Sequence, residues 1–167
     1  MKSVLWDFIS AGKTLWQKRG IFRPQTSYSD KVFLLKLYPG TDPSILDYLQ
    51  EKGCRGVYVE GFGLGGMPFL KNDFIGAVKK AVENGMVILA GSQCRYEGSN
   101  LSVYETGRRA LESGVLQAYD MTAEAAMAKL MWVLGQTDSL REIREYFSVD
   151  MRERLRSLKS EDGDHSF

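Results

Sequence analysis

The sequence predicts a three-layer, flavodoxin-like α/β domain in which about four parallel strands carry helices on both faces of the sheet. Short apolar segments alternate along the chain with longer segments whose apolar residues recur at helical spacing. Within the short segments the apolar residues follow one another without alternation, which is typical of parallel strands covered on both faces. Strand–helix alternation of this kind favours one parallel sheet between two helical layers.

The first strand is predicted at residues 32–37, where the run VFLLKL indicates a strand buried on both faces. Thr41 or Asp42 can cap the helix that follows, and Pro43 suits its first turn because its missing N–H has no helical partner to lose there. That helix is expected to end near a glycine at position 53.

Two further strand–helix units and a short strand follow, and again a glycine comes after each helix. In chain order they are predicted as strand 56–59, helix 69–83, strand 86–90, helix 103–112 and strand 115–117. Gly85 and Gly114 stand just after the two helices, where glycine readily adopts the left-handed conformation that ends a helix.

Two predicted helices close the domain. The segment 123–134, which Asp120 or Thr122 can cap, is apolar almost all round, and such a helix is buried. In a domain of this size that burial indicates cover by another chain or domain, so we expect a homodimer. Ser139 and Glu142 have capping-box spacing before the last helix.

The chain divides into three parts. Residues 1–31 are predicted as a lead-in or interdomain linker, with one strand at 14–17, because aromatic residues are mixed there with glycine and proline. Residues 32–158 form the α/β domain, and the polar residues 159–167 form a frayed tail.

Composition limits the classes of function. The 167-residue chain is 44% apolar and 26% charged, which suits one globular domain, and its formal net charge is +1. This balance gives no electrostatic reason to expect nucleic acid or an anionic membrane as a partner. No apolar run is long enough to span a bilayer, and two cysteines make neither a disulfide framework nor a zinc site. We therefore expect a cytoplasmic protein without a metal or cofactor.

One glycine-rich motif invites a nucleotide-binding interpretation. Residues 61–66, GFGLGG, fit G-x-G-x-x-G between a predicted strand and helix. Glu60 would place negative charge beside a pyrophosphate, and a tight turn that needs glycine is the strong alternative. The single histidine, His165, lies in the tail, so a Ser-His-Asp mechanism and metal catalysis both lack their imidazole.

Any ligand site should be built by three loops at the carboxyl ends of the predicted strands, where parallel sheets bind their ligands. These loops are residues 39–42, 60–68 and 91–99. Glu60, a charge at a strand end, is a candidate for contact with a ligand or a neighbouring protomer, and it could form an acidic cluster with two carboxylates near position 120. Cys94 is either a thiol that lines a ligand or an inert cysteine.

Five ordered segments carry a family resemblance. They are LLKLYPGTDP at 34–43, GVYVEGFGLGG at 56–66, SQC at 92–94, YETG at 104–107, and DMTAEAA at 120–126 with KLMW at 129–132. Together they resemble the C-terminal domain of type I, cytoplasmic-type L-asparaginases of the asparaginase/glutaminase superfamily. The last segment is also similar to the D-type subunit of archaeal glutamyl-tRNA(Gln) amidotransferase, whereas its Asp-Met-Thr turn favours the asparaginases.

The resemblance implies hydrolysis of L-asparagine to L-aspartate and ammonia, with the nucleophilic threonines in an N-terminal domain. No threonine of this chain lies in the corresponding motifs, so no catalytic residue is predicted here and the chain alone should be inactive. What the resemblance implies for this domain is dimerisation, loops that complete or regulate an active site, and an N-terminal asparaginase domain as partner. A stand-alone amino-acid-binding module and a nucleotide-binding domain are the alternatives.

The resemblance also implies a site for a small amino acid such as asparagine. Its ligand- or effector-binding residues would be Glu60, Gly61, Phe62, Gly63, Gln93, Cys94, Tyr119 and Asp120. Glu60 stands where some members carry an arginine. A carboxylate there would repel the α-carboxylate of the effector and could receive its α-ammonium group instead.

Overall fold

Four parallel strands form one sheet in the order β1-β2-β3-β4 in the computed structural model, which describes residues 26–69, 73–94 and 98–148. The strands are β1 (Val32–Lys36), β2 (Gly56–Gly61), β3 (Val87–Ser92) and β4 (Leu116–Gln117). The helices are α1 (Ser44–Glu51), α2 (Phe74–Glu83), α3 (Glu105–Glu112), α4 (Ala123–Gln136) and α5 (Leu140–Ser148). The predicted α/β class is confirmed. The strand predicted at 14–17, the continuation of the last helix to 158 and the tail lie outside the described residues.

The two candidate caps of α1 have different roles. The Asp42 carboxylate accepts a hydrogen bond from the backbone N–H of Ser44 at 2.9 Å, at the first turn of the helix. The Thr41 hydroxyl instead accepts from the Tyr38 N–H at 3.0 Å and donates to the Tyr38 carbonyl at 2.8 Å. Asp42 therefore starts the helix, and Thr41 closes the turn that leaves β1.

Helix α2 begins later than the sequence predicts. The Asp73 carboxylate accepts from the Gly76 N–H at 2.9 Å and sets the start of the helix at Phe74. Phe69, predicted as helical, lies in the preceding loop. The α4 helix is capped as expected by Thr122, whose hydroxyl accepts a backbone N–H of its first turn.

The sheet separates two apolar cores. The three crossovers run in one direction, so α1, α2 and α3 cover the first face and α4 and α5 cover the second. Side chains of the central strands alternate between the cores: Val57, Val59, Ile88 and Ala90 face the first, and Tyr58, Val87 and Leu89 face the second. Each of the buried valine, leucine and isoleucine side chains contributes about 1.5–3 kcal/mol by leaving water, so β2 and β3 anchor the fold.

Strand β1 departs from the prediction of burial on both faces. Phe33 is 41% exposed and Leu34 is 42% exposed. The prediction was wrong because an unalternating apolar run does not show whether a strand is central or at the edge. In the described part of the chain β1 has one neighbour, β2, and its outer side is open.

Tyr58 in the second core requires a glycine beside it. It is 1% exposed, and its ring lies over Gly91 of the neighbouring strand, where a Cβ would overlap the tyrosine hydroxyl. Burial, followed by the charges of Glu60 and Glu124, raises the pKa of Tyr58 to about 12. The neutral phenol is therefore the form that the folded protein holds.

This pKa predicts a loss of stability in alkali. The unfolded chain releases the Tyr58 proton at a pKa of about 10, whereas the folded protein keeps it until about 12. The contribution of Tyr58 is thus fully present below about pH 10 and is lost as the pH rises through about 12. Over that window we expect the free energy of unfolding to fall by about 1.4 kcal/mol per pH unit on account of this residue.

Urea unfolding from about pH 9 to about pH 12 measures the effect. Tyr58→Phe keeps the ring and removes the titrating group, so the difference between the two proteins separates Tyr58 from the other groups that titrate in alkali. Equal pH dependence in the two proteins would contradict the assignment.

Candidate functional site

The loops after β1, β2 and β3 border a cleft of about 850 Å³ at the carboxyl edge of the sheet. Its apolar walls are formed by Pro39, Phe62, Leu64, Met67, Pro68, Phe69, Leu101 and Tyr104. Among the described residues that line the cleft, the polar side-chain groups are those of Asn100, Tyr104 and Thr106, and none is a carboxylate, an imidazole or a thiol. A large apolar cleft with a few polar groups is typical of a binding site, and this one holds no nucleophile beside a base.

The glycine-rich segment forms one wall as a self-contained turn. Phe62 and Gly66 exchange two backbone hydrogen bonds of 2.8 Å each, and Gly63 and Gly65 have φ values of +50° and +104°. A dinucleotide-binding loop instead leads directly into a helix whose N–H groups face the phosphate. Here residues 67–69 are not helical. The geometry disfavours the nucleotide-binding alternative.

Gln93 connects the ends of three strands. Its side-chain N–H groups donate to the Leu37 carbonyl at 2.7 Å and to the Glu60 carbonyl at 2.9 Å. Since Gln93 directly follows β3 and the two carbonyls lie at the ends of β1 and β2, one amide holds all three loops in place. The Gln93 amide, which is predicted to bind a ligand, therefore also has a structural role.

Next to Gln93, Ser92 and Cys94 order the third loop. The Ser92 hydroxyl donates to the Gly63 carbonyl at 2.5 Å and accepts from the Cys94 N–H at 2.8 Å. Cys94 is exposed, whereas Cys54 is half-buried and burial raises the pKa of its thiol. Within residues 26–69, 73–94 and 98–148, no group of three or more His, Cys, Asp and Glu side chains could hold a metal ion.

Glu60 lies on the opposite face of the sheet from the cleft. Its carboxylate is 3.4 Å from the Lys36 ammonium group, and its side chain is 14% exposed. Glu60 and Glu124 both act on the pKa of Tyr58, so these two carboxylates lie near the same phenol. Asp120, the third member of the predicted acidic cluster, lies in the loop before α4.

Tyr119 holds the loop that follows β4. Its φ of 54° is left-handed, and its carbonyl accepts from the backbone N–H of Ser99 at 2.6 Å and from the Ser99 hydroxyl at 3.0 Å. The eight residues predicted to bind a ligand or effector therefore do not form one site. Phe62 and Gly63 line the cleft, and Glu60 lies on the other face.

Two of the loops predicted to build a ligand site, 39–42 and 60–68, do line the cleft, but the sequence prediction missed the rest of its wall. Phe69, Leu101 and Tyr104 line the cleft and have no predicted ligand-binding role. The available signal was their apolar character in loop segments, because loops at a protein surface are normally polar. Such residues are expected to be covered by a ligand or another domain.

A family profile matches residues 31–147 and is described as the glutaminase/asparaginase C-terminal domain. The chain belongs to this family. It is 48% identical over 117 residues to the D-type subunit of glutamyl-tRNA(Gln) amidotransferase from Thermococcus kodakarensis, covering 70% of this chain and 26% of that protein. It is 41% identical over 152 residues to the same subunit from Metallosphaera sedula, covering 83% and 34%. The domain thus spans about a quarter to a third of these relatives.

Solved structures of L-asparaginases share the fold. The thermostable L-asparaginase of Thermococcus kodakarensis matches with a TM-score of 0.70 at 36% identity, over 75% of this chain and 38% of that one. L-asparaginase I of Vibrio cholerae matches with a TM-score of 0.70 at 27% identity, over 79% and 40%. In the described part of this domain, no helix has the length and apolar character needed to cross a membrane.

The Gln93 clamp predicts a specific loss of stability. Gln93→Glu keeps the shape of the side chain but removes both N–H donors and brings a carboxylate against two carbonyl oxygens. We expect the free energy of unfolding at neutral pH to fall by about 1–3 kcal/mol, because both carbonyls lose the Gln93 donor and face a carboxylate instead. Protonation of the new carboxyl below about pH 4 should recover part of this loss.

Urea unfolding at the two pH values measures the change, with Gln50→Glu as the matched control. The Gln50 side chain also donates to a backbone carbonyl, at 3.3 Å, but that bond is exposed to solvent. An equal effect of the two substitutions would refute the role assigned to Gln93.

Proposed function

We propose that this domain is the C-terminal part of an amide-hydrolysing protein that resembles the D-type subunit of glutamyl-tRNA(Gln) amidotransferase. The observation that carries the proposal is its 48% identity to that subunit in Thermococcus kodakarensis, against 36% identity to the L-asparaginase of the same species. This ordering reverses the preference for an asparaginase that the Asp-Met-Thr turn suggested.

The geometry of the cleft supports a binding and positioning role for this domain. Its described lining offers apolar surface, one amide and two hydroxyl groups, with no base beside a nucleophile. By family resemblance the threonines that attack the amide belong to an N-terminal domain. That domain would cover the apolar walls of the cleft and receive the three loops that Gln93 holds in place.

The proposed partners follow from this role. An N-terminal domain of the same family would contact the cleft, and a second copy of this domain would pair with the first. The open side of β1 and the partly exposed α4, both among the described residues, leave surface for these two contacts. We place the protein in the cytoplasm, in keeping with its cysteine content.

An asparaginase domain with an amino-acid effector is the second candidate. The similarity to solved L-asparaginases supports it, and so does the mostly buried Glu60 carboxylate, whose ion pair with Lys36 is long at 3.4 Å. The α-ammonium group of asparagine could replace the lysine ammonium group there. Such a site would also involve Gly61, Cys94 and the Tyr119–Asp120 loop, as the resemblance implies.

The chain alone should not hydrolyse amides. We expect the purified 167-residue protein to release no ammonia from L-asparagine or L-glutamine above the rate without protein, because it lacks the threonine motifs of the family. A coupled assay for ammonia measures this. Hydrolysis that disappears on Thr106→Ala, the substitution of the threonine in the cleft, would overturn the assignment of catalysis to another domain.

A graft tests which relatives this domain belongs with. Two hosts from Thermococcus kodakarensis are used, the amidotransferase subunit and the L-asparaginase, and the C-terminal domain of each is replaced by residues 26–148 of this chain. We expect the amidotransferase graft to retain at least about tenfold more of its parent's amidohydrolase activity, because better-matched contacts stabilise the transition state more.

The matched control for each graft is the same host with its own domain re-inserted through the same junctions. If both grafts retain an equal share of their parent's activity, the result supports membership of the family but neither candidate. A greater share retained by the asparaginase graft would favour the second candidate. A graft with Tyr104→Asp tests the cleft itself: Tyr104 lines the cleft and is 61% exposed in this domain, so the charge should abolish activity only if the N-terminal domain covers that wall.

A further inference from the structure

The chain contains one Asn-Gly pair, Asn84–Gly85, at the junction between α2 and β3. In such a pair the backbone nitrogen of the glycine can attack the side-chain carbonyl carbon of the asparagine, because glycine has no side chain to hinder the approach. The other two asparagines, Asn72 and Asn100, precede an aspartate and a leucine. The sequence therefore makes Asn84 the asparagine most prone to lose its amide.

The fold holds this pair in the C-terminal cap of α2. The Gly85 N–H donates to the Val82 carbonyl at 2.9 Å. The N–H of the next residue, the buried Met86, donates to the Ala81 carbonyl at 3.0 Å. With a left-handed φ of +88° at Gly85, these bonds form a Schellman motif. The nitrogen that would attack the side chain is thus already a hydrogen-bond donor in the helix cap.

The Asn84 side chain is held by a residue of α1. The Asn84 side-chain amide donates to the Gln50 side-chain oxygen at 3.4 Å, and the Gln50 amide donates to the Asn84 backbone carbonyl at 3.3 Å. To close a ring with its own side chain, Asn84 must turn its peptide bond toward Cβ, which its ψ of 10° does not allow. Asn84 is exposed to water, but the cap has to open before it reacts.

We propose that Asn84–Gly85 is a site of spontaneous deamidation whose rate is set by the opening of the α2 cap. In the open form, hydroxide takes the Gly85 amide proton, the nitrogen bonds to Asn84 Cγ, and the Cγ–Nδ2 bond breaks. Nδ2 leaves as ammonia with a proton from water, which restores the hydroxide. Water then opens the cyclic imide at one of its two carbonyl carbons and leaves aspartate or isoaspartate at position 84. No group is oxidised or reduced.

Both products weaken the junction between α2 and β3. A carboxylate at the C-terminal end of α2 meets the negative end of the helix dipole, and it no longer donates to Gln50. Isoaspartate also adds a carbon to the main chain just before β3, a strand with a neighbour on each side. The modified protein therefore has a lower free energy of unfolding than the parent.

This inference does not depend on the proposed amide hydrolysis. Deamidation consumes the chain's own amide once and does not respond to added L-asparagine, whereas hydrolysis by the family turns over an added substrate. Failure of one leaves the other standing.

Mass spectrometry of the full 167-residue chain tests the site. The protein is kept in mildly alkaline buffer, either folded or unfolded in urea, and peptides that contain Asn84 or Asn100 are followed over time. We expect Asn84 to react in both states, about tenfold to a hundredfold more slowly in the folded protein because only the open cap reacts. Asn100 is exposed as well and should stay intact, since the side chain of Leu101 hinders its backbone nitrogen.

Three results would overturn the proposal. In the first, the unfolded chain loses the Asn84 amide no faster than the Asn100 amide. In the second, Asn84 reacts equally fast in the folded and unfolded chains, which excludes control by the cap. In the third, Asn84 is still intact in the folded protein after about a hundred half-lives of the unfolded chain, because a cap that opens locally would have reacted by then.

Gln50→Ala tests the control by the cap. It removes the partner of the Asn84 side chain, so we expect deamidation of the folded protein to be about threefold faster, with an unchanged rate in urea. Glu51→Ala, at the next exposed position of α1, is the matched control and should leave both rates unchanged. A folded Gln50→Ala protein that reacts no faster than Glu51→Ala would contradict the control by the cap.

Urea unfolding of aged protein tests the consequence. The midpoint of the parent should fall as the modified fraction grows, and Asn84→Asp should show a lowered midpoint from the start. Asn84→Gln keeps an amide but sets its carbon one bond farther from the Gly85 nitrogen, so its midpoint should not change with age. A fully modified parent that unfolds like fresh parent would refute the predicted loss of stability.

Discussion

The structure depends on the burial of both faces of β2 and β3. Their side chains alternate between two apolar cores, so a change in either strand affects the packing of helices on both sides. Parallel strands without a reversal of order also place the ends of β1, β2 and β3 side by side. The cleft and the Glu60–Lys36 ion pair both lie along that edge.

Two side chains adapt the central strands to this constraint. Tyr58 brings a polar phenol into the second core and needs Gly91 on the next strand to leave room for it. Gln93 donates to the Leu37 and Glu60 carbonyls, the second of which also accepts from the Leu37 N–H. Gly91 thus makes room for a large side chain within the sheet, and Gln93 joins the strand ends by hydrogen bonds.

The carboxyl edge presents different chemistry on its two sides. The cleft above the first core is apolar and has no charged lining in the described residues, whereas the second face carries Glu60 with Lys36 beside Tyr58. An apolar cleft suits the surface of another domain, because burial there needs no compensation for charge. The mostly buried Glu60 carboxylate suits a cationic group. The domain therefore offers two separate kinds of contact, and the described lining of the cleft sets no base beside a nucleophile.

Local signals in the sequence determined the elements of this domain. The apolar runs, the cap at Asp42 and the glycine at position 85 depend on neighbouring residues only, so strands and helices could be predicted within a few residues. The ordered motifs also identified the family. The position of β1 at the sheet edge and the separation of Glu60 from the cleft were decided by tertiary structure alone. Each depends on which distant segment packs alongside, and no local pattern of residues contains that information.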